Sequence, residues 1–171
     1  KLTSLLPFSW KEIVQEKEAL TKILPDLERL QEIKSKQEAE VFIGKKGLRT
    51  AYEKLFKNTS KKDENLFFYI HEEKYAEESN LFYNSIVDLA SRVKNRGICN
   101  AEYEKSWFAK KSKHLIMKFS KLPLQGNIDI INDKVLLVSW EKSIFSVLIH
   151  SESLASNLRN YFNEMWSKAN K

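Results

Sequence analysis

The stretch from Gly44 to Gly47, Gly-Lys-Lys-Gly, combines residue types that bind phosphate and lies between a predicted strand and a predicted helix. Glycine lets backbone N–H groups approach an anion closely, and a helix N-terminus adds partial positive charge. A Walker loop requires G-x-x-x-x-G-K-S/T, and a dinucleotide loop requires G-x-G-x-x-G; neither spacing occurs here. The stretch therefore predicts a tight turn into a helix, where the lysines either help to hold an anion or only face solvent.

Other reactive side chains do not form a recognisable catalytic set. The glutamates of residues 72–78 fit the solvated first turn of a helix better than a general acid and base. Cys99 is the only cysteine, and we place it after a helix C-terminus, whose partial negative charge disfavours a thiolate. The three histidines, His71, His114 and His150, are far apart in the sequence. We therefore predict no catalytic residue, no metal site and no cofactor.

Positive charge is concentrated between Arg92 and Lys121. This segment holds nine basic residues against two glutamates, whereas the whole chain has a net charge of +6. Aromatic residues are interleaved with the basic ones, as in surfaces that bind single-stranded nucleic acid. The alternative is a solvated basic loop that covers a few buried rings. The candidate nucleic-acid contacts are Lys110, Lys111 and Lys113 for phosphates, and Trp107 and Phe108 for stacking.

The composition predicts one soluble globular domain. With 171 residues and 42% hydrophobic content, the chain can bury a substantial core. No apolar run approaches the roughly 18 residues of a membrane helix, and the first residues lack the order of a signal peptide. We predict a cytoplasmic protein without membrane contact. Because the sequence opens on Lys1 rather than methionine, we expect it to be part of a longer protein.

Residues 1–38 are predicted to form a helical, coiled-coil-like segment. Apolar residues repeat every seven positions, and a second set follows three places later, which gives the seam that two helices share. Pro25 predicts a kink or a restart within this segment. We interpret the seam as a homodimer interface; the alternative is that it packs on the chain's own domain. The predicted interface residues are Ile13, Leu20, Ile23, Leu27 and Leu30.

Residues 39–171 alternate between strand and helix patterns, which predicts an α/β domain with a mixed sheet flanked by helices. The predicted elements, in chain order, are a strand at 41–43, a helix with the apolar stripe Leu48, Ala51, Tyr52, Leu55 and Phe56, a strand at 66–70, a helix with an apolar face from Leu81 to Val93 that ends at Gly97, a hairpin at 127–139 around Asn132 and Asp133, a strand at 144–149, and a final helix capped by Ser151.

A ligand site, if the domain has one, is expected at the ends of the strands, where an open α/β sheet leaves a crevice. The candidate effector-binding residues at such positions are Gly44, Lys45, His71, Asn127 and Asp129.

Two long phrases of the sequence resemble a known family. The first is EKEALTKILPDLERLQEIKSKQEAEVFIGKKGLRTAYEKLF, and the second is KVLLVSW followed by FSVLIHSESLASNLRNYFNEMW. Both are similar to the effector region of the TrmB family of archaeal transcription regulators, and the likeness extends from Glu16 to Trp166. The resemblance implies a phospholipase-D-like effector domain, with a winged helix-turn-helix DNA-binding domain before residue 1.

The phospholipase-D-like fold raises the question of phosphodiester cleavage, because its enzymes use an H-x-K-x4-D motif. In that motif the histidine attacks phosphorus and the lysine holds the phosphate oxygens. If Asp133 is aligned with the acidic residue, Gly126 and Ile128 stand in place of the histidine and the lysine. No H-x-K occurs anywhere in the sequence. We therefore predict that the chain is not an enzyme.

Together these features predict the dimerisation and effector domain of a TrmB-like transcription regulator. Residues 1–38 would be the helical linker and residues 39–171 the effector domain, with DNA bound by a winged helix-turn-helix outside this sequence. The effector would be a small molecule or a protein. The resemblance does not imply that this chain senses sugars, because the sugar-responsive members of the family have a further C-terminal domain. The alternative is a nucleic-acid-binding module that uses the segment from Arg92 to Lys121.

Overall fold

The computed structural model describes residues 37–111 and 115–169, which belong to one compact unit, Gln37–Lys171. The predicted interface residues Ile13, Leu20, Ile23, Leu27 and Leu30 lie outside the described residues, and so does Lys113. The seven strands are β1 (Glu38–Ile43), β2 (Glu64–Tyr69), β3 (Lys94–Asn100), β4 (Ile116–Ser120), β5 (Asn127–Ile131), β6 (Lys134–Ser139) and β7 (Phe145–His150). The α-helices are α1 (Gly44–Leu55), α2 (Ala76–Ser85), α3 (Val87–Ala90), α4 (Ala101–Glu104), α5 (Trp107–Lys111) and α6 (Glu152–Lys168).

The strands form one mixed sheet in the order β1-β7-β6-β5-β2-β3-β4. Strands β2, β3 and β4 run parallel to one another, and the remaining pairs are antiparallel. Both faces of the sheet are covered by helices: α1, α2 and α3 pack on one face, and α6 packs on the other. The predicted mixed α/β architecture is therefore confirmed. Within the described residues, no helix is both long and apolar enough to span a membrane.

Successive residues of each strand point to opposite faces, so the sequence of β5 divides between two environments. Ile128 and Ile130 belong to the apolar cluster under α6, whereas Ile131 belongs to the cluster under α1. Asp129 shares the α1 face with Ile131. A carboxylate therefore stands in the middle of the sheet, on the face covered by α1, α2 and α3.

Helix α1 has the predicted buried stripe. Leu48, Ala51, Tyr52, Leu55 and Phe56 are all buried, since their spacing places them on one side of the helix. The helix follows β1 directly, and the positive φ of its first residue, Gly44, allows the abrupt change of direction.

The end of the chain also follows local sequence signals. The hairpin between β5 and β6 turns at Asn132, which has a φ of 52°. Helix α6 begins after Ser151, whose side chain accepts a hydrogen bond from the backbone N–H of Leu154 at 3.3 Å. The predicted turn at Asn132 and the predicted N-cap at Ser151 are both confirmed. Such features can be predicted from sequence because they depend on neighbouring residues alone.

The helix predicted to run from Leu81 to Gly97 is wrong. Helices α2 and α3 end at Ser85 and Ala90, and Gly97 lies inside strand β3. Its lack of a side chain admits the ring of Phe67 from the neighbouring strand, since a Cβ at this position would lie 2.1 Å from the ring. The glycine therefore marks a close approach between strands rather than a helix end.

The placement of Cys99 after a helix C-terminus is also wrong, because the residues before it belong to strand β3 and not to a helix. Cys99 lies in β3 and is fully buried, and burial raises the pKa of its thiol. The thiol therefore stays protonated because of desolvation, and not because of a helix dipole. Strand β4 was also missed, because residues 92–121 were interpreted only as a nucleic-acid surface or, alternatively, a solvated basic loop, whereas they contain two strands.

Candidate ligand cavity

A cavity of about 110 Å³ lies on the face of the sheet that carries α1, α2 and α3. Its floor comes from strands β2, β3 and β5, and its roof comes from the helices. The residues that line it are Tyr52, Phe56, Asn65, Phe67, Phe68, Tyr69, Asn80, Tyr83, Asn84, Ile86, Val87, Ala90, Asn95, Tyr103, Leu115, Met117 and Asp129.

Strand register brings the polar residues of the floor together. Asn65 of β2 is paired with Asn95 of β3, and Phe67 of β2 is paired with Asp129 of β5. Because paired residues point to the same face, the two asparagines and the aspartate share the cavity side of the sheet. Three polar side chains are thus placed in the floor of an otherwise apolar layer.

Asp129 is buried and accepts hydrogen bonds from two sides. The hydroxyl of Tyr52 donates to Oδ2 at 2.7 Å, and Nδ2 of Asn65 donates to Oδ1 at 2.9 Å. Burial raises the pKa of Asp129 from 3.8 to about 6, although the hydrogen bonds from Asn65 and Tyr52 act in the opposite direction. The carboxylate is therefore charged at neutral pH, but its charge is poorly compensated.

Asn65 leaves an acceptor open beside this carboxylate. Its Nδ2 donates to Asp129 and also, at 3.2 Å, to Oδ1 of Asn95. Nδ2 of Asn95 in turn donates to the carbonyl oxygens of Ala90 and Val93 at 2.8 and 3.1 Å. The Asn65 amide must therefore direct its N–H groups toward these oxygens. Within the described part of the chain, its Oδ1 is buried without a hydrogen-bond partner.

Tyrosine rings form much of the cavity wall. Ring centroids lie 6.1 Å apart for Tyr52 and Tyr83, 5.8 Å for Tyr69 and Tyr83, and 4.8 Å for Tyr69 and Tyr103. Burial raises the pKa of Tyr69 to about 12, and it also raises the pKa of Tyr52 and of Tyr83. These hydroxyls therefore remain neutral at physiological pH.

Among the described residues that line the cavity, Asn84 of α2 and Val87 of α3 are exposed. We infer that the mouth of the cavity lies at these two residues. Among the residues that the structure describes, no lysine, arginine or histidine lines the cavity, and no group of His, Cys, Asp and Glu is suited to hold a metal ion. The arrangement can bind a polar molecule.

The five predicted effector residues do not form one site. Asp129 lines the cavity, whereas Asn127 and His71 fix strand ends: Oδ1 of Asn127 accepts from the N–H of Ile70, and the N–H of His71 donates to Asn100 Oδ1, both at 2.7 Å.

The other two predicted residues, Gly44 and Lys45, lie at the start of α1 and are not part of the cavity lining. Gly44 donates its N–H to the carbonyl of Ile144 at 2.8 Å, so this N–H is not open to an anion. Lys45 lies 2.9 Å from the carboxylate of Glu78.

Sequence reasoning missed Tyr52, Asn65 and Asn95. Tyr52 was interpreted only as part of an apolar stripe. A usable signal was the polar residue within an apolar strand, as in the Ile-Asp-Ile run at Asp129; Asn65 follows Glu64 and carries no such signal. A buried polar residue at such a position needs a partner, and the partner comes from elsewhere in the chain.

The basic segment is divided among several environments. Trp107 of α5 is 59% exposed, with Nζ of Lys111 at 3.7 Å from its ring centroid, and Lys110 is exposed. Arg96 and Lys118 instead lie against the ring of Trp166 on α6. The side chain of Phe108 lies outside what the structure describes.

Comparisons with solved structures identify the fold. The chain is similar to Nuc, a phospholipase D family member from Salmonella typhimurium (TM-score 0.57, 12% identity, 78% of this chain and 97% of that chain). It is similar to NucT from Helicobacter pylori (TM-score 0.51, 13% identity, 78% and 98%). A third match is TrmBL2, an archaeal chromatin protein with a novel mode of DNA binding (TM-score 0.49, 19% identity); it covers 95% of this chain, which spans 66% of TrmBL2.

Comparisons of sequence give no further assignment, since no protein-family model and no curated protein matches the chain. The structural likeness to Nuc and the likeness to NucT each extend over 78% of this chain. The chain has a phospholipase-D-like fold.

Proposed function

We propose that this chain is the effector domain of a TrmB-like transcription regulator and that it binds a small molecule in the cavity around Asp129. The observation that carries the proposal is a cavity whose lining includes the buried carboxylate of Asp129 and Asn65, a residue whose Oδ1 is buried without a partner in the described part of the chain. Stability alone does not favour such an arrangement, because a buried charge and an unpaired acceptor both cost free energy. The sequence resemblance supplies the regulatory context.

We propose further that the domain does not cleave phosphodiesters. The position aligned with the catalytic lysine is Ile128, which is buried in the apolar cluster under α6. The position aligned with the catalytic histidine is Gly126, which has no side chain. Neither residue can attack or hold a phosphate, so the fold would serve ligand binding here.

The regulatory mechanism that we propose is a shift between two arrangements of a homodimer. A ligand that binds one arrangement more tightly increases the population of that arrangement. DNA would be bound by a winged helix-turn-helix domain before residue 1, as the resemblance implies. Ligand binding in the effector domain would then change the affinity of the complete regulator for its DNA site.

Small-molecule binding is tested by blocking the mouth of the cavity. We expect a compound from a library of polar metabolites to raise the melting temperature of the chain, because a ligand that binds only the folded state stabilises it. Asn84→Trp, which fills the mouth, should abolish this increase. Leu81→Trp is the matched control, since Leu81 lies on the same helix, is 64% exposed and does not line the cavity. An increase that persists in Asn84→Trp, or a library without any stabilising compound, would contradict the proposal.

Direct nucleic-acid binding is the second candidate function, and the exposed Trp107 with Lys111 over its ring favours it. If the sensor proposal holds, labelled single- and double-stranded DNA should show no anisotropy change with this chain at physiological salt. Micromolar binding with a steep salt dependence, lost in a Lys110→Glu and Lys111→Glu double variant, would instead make α5 a nucleic-acid surface.

A further inference from the structure

We infer that the cavity selects a small organic cation with an amine or amidine group, which the Asp129 carboxylate and Asn65 Oδ1 bind between tyrosine rings. This inference rests on the proposed function, since it presupposes that the cavity binds a small molecule. It adds the chemical class of that molecule, which follows from the charge, the open acceptors and the rings of the cavity.

The charge of the lining favours a cation. Asp129 is the one ionisable acid among the described lining residues, and none of these residues is basic. Tyr52, Tyr69, Tyr83 and Tyr103 are the other titratable groups that face the cavity, and they carry no positive charge in either protonation state. A buried carboxylate without a cationic partner is costly, so a ligand that supplies the positive charge compensates it, less the cost of removing water from the ligand's own charged group.

The hydrogen-bonding capacity of the site calls for donors. A carboxylate accepts about four hydrogen bonds, and Tyr52 and Asn65 occupy two of these positions on Asp129. Oδ1 of Asn65 is a further acceptor without a partner in the described part of the chain. An ammonium group offers three N–H donors and no acceptor, and an amidinium offers parallel donors that fit a carboxylate.

The aromatic wall suits the same ligand. The faces of tyrosine rings attract cations, and tyrosines 52, 69, 83 and 103 all line the cavity. Its volume of about 110 Å³ is below the roughly 150 Å³ of a cavity known to hold benzene, so a charged head group fits inside while an attached phenyl ring would lie in the mouth. A longer substituent on the bound ligand would extend out of the cavity through the mouth at Asn84. Phosphates and carboxylates would instead meet Asp129 without any lysine or arginine to hold them.

The experiment compares ligands of equal shape and different charge. Benzylamine and benzamidine are titrated into the complete 171-residue chain at pH 7.5, alongside neutral benzyl alcohol and anionic benzoate, with melting temperature and calorimetric affinity as readouts. We expect stabilisation by the two cations and none by the alcohol or the acid. Asp129→Asn should reduce cation affinity by at least tenfold, whereas Asp133→Asn, an exposed aspartate on the same hairpin, should leave it unchanged.

The pH dependence gives a second readout that does not depend on a variant. Cation affinity should fall about tenfold per pH unit below 6, because Asp129 then becomes protonated while both probes stay charged. Equal or tighter binding of benzyl alcohol or benzoate overturns the inference. A neutral or anionic library compound could stabilise the chain in a way that Asn84→Trp abolishes, while the two cations do not bind. In that case the inference fails but the proposed function stands. If no compound binds at all, both fail.

Discussion

Replacing Asp129 by asparagine is expected to stabilise the folded chain at neutral pH. The carboxylate is buried away from any described cation, and desolvation raises its pKa from 3.8 to about 6. An asparagine has nearly the same shape: its Oδ1 can accept from Nδ2 of Asn65, while its N–H group can donate to the hydroxyl oxygen of Tyr52. The change therefore removes a buried charge while both hydrogen-bond contacts of the side chain can be kept.

The pKa of Asp129 gives the size and the pH window of this effect. A rise from 3.8 to about 6 corresponds to about 3 kcal/mol, and we expect a net gain of about 1–3 kcal/mol because hydrogen bonds to a neutral amide are weaker. The folded state binds the Asp129 proton more tightly than the unfolded chain does. Wild-type stability from this group therefore falls as pH rises from about 4 to 6, and the advantage of Asp129→Asn is complete above pH 6 and absent below about 4.

Urea denaturation at pH 4, 6 and 8 measures this prediction. The control is Asp133→Asn, since Asp133 is exposed on the adjacent turn and should change stability by less than about 0.5 kcal/mol at each pH. An Asp129→Asn chain that is less stable than the wild type at pH 8 would contradict the assignment of Asp129 as an uncompensated buried charge.

The double variant Leu20→Asp with Leu27→Asp is expected to convert a dimer into monomers. Both residues belong to the seven-residue apolar repeat, and each carboxylate would be buried in the shared seam beside its copy on the other helix. Burying unpaired charges at such positions costs several kcal/mol in total, which is enough to weaken association by more than about a thousandfold. Light scattering coupled to size-exclusion chromatography gives the mass directly.

The control for this variant is Lys22→Asp with Arg29→Asp, which changes more charge but lies off the seam. It should leave the dimer intact. If the leucine variant remained dimeric, the interface would lie elsewhere, and the exposed apolar residues Val41, Ile43 and Phe145 at the β1 and β7 edge of the sheet would be examined next.

Local signals account for the elements that the sequence predicted well. The stripe of α1, the turn at Asn132 and the cap at Ser151 depend on residues a few positions apart. Strands β3 and β4 escaped prediction, because their parallel pairing joins segments that are distant in sequence and Gly97 resembles a helix end. What decides the role of Gly97 is the ring of Phe67, thirty positions earlier.

The cavity depends almost entirely on such distant contacts. Asp129 was a candidate because the sequence placed it at a strand end, but it lies in the middle of β5, and its partners Tyr52 and Asn65 are 77 and 64 positions away. Tyr52 has the same periodicity as the leucines around it, so its hydroxyl could not be assigned a role from spacing alone. Strand register, which the sequence does not reveal, determines that Asn65, Asn95 and Asp129 share one face.

The side-chain amide signals of the asparagines test small-molecule binding in this cavity most directly. The account predicts that the compound with the largest melting-temperature increase shifts the NMR resonances of Asn65 and Asn95 with a common dissociation constant. The amide of Asn163, which lies on the exposed side of α6 and accepts from Arg96, should not move. Shifts confined to Asn163, or no shift at any asparagine, would contradict the assignment of this cavity as the effector site.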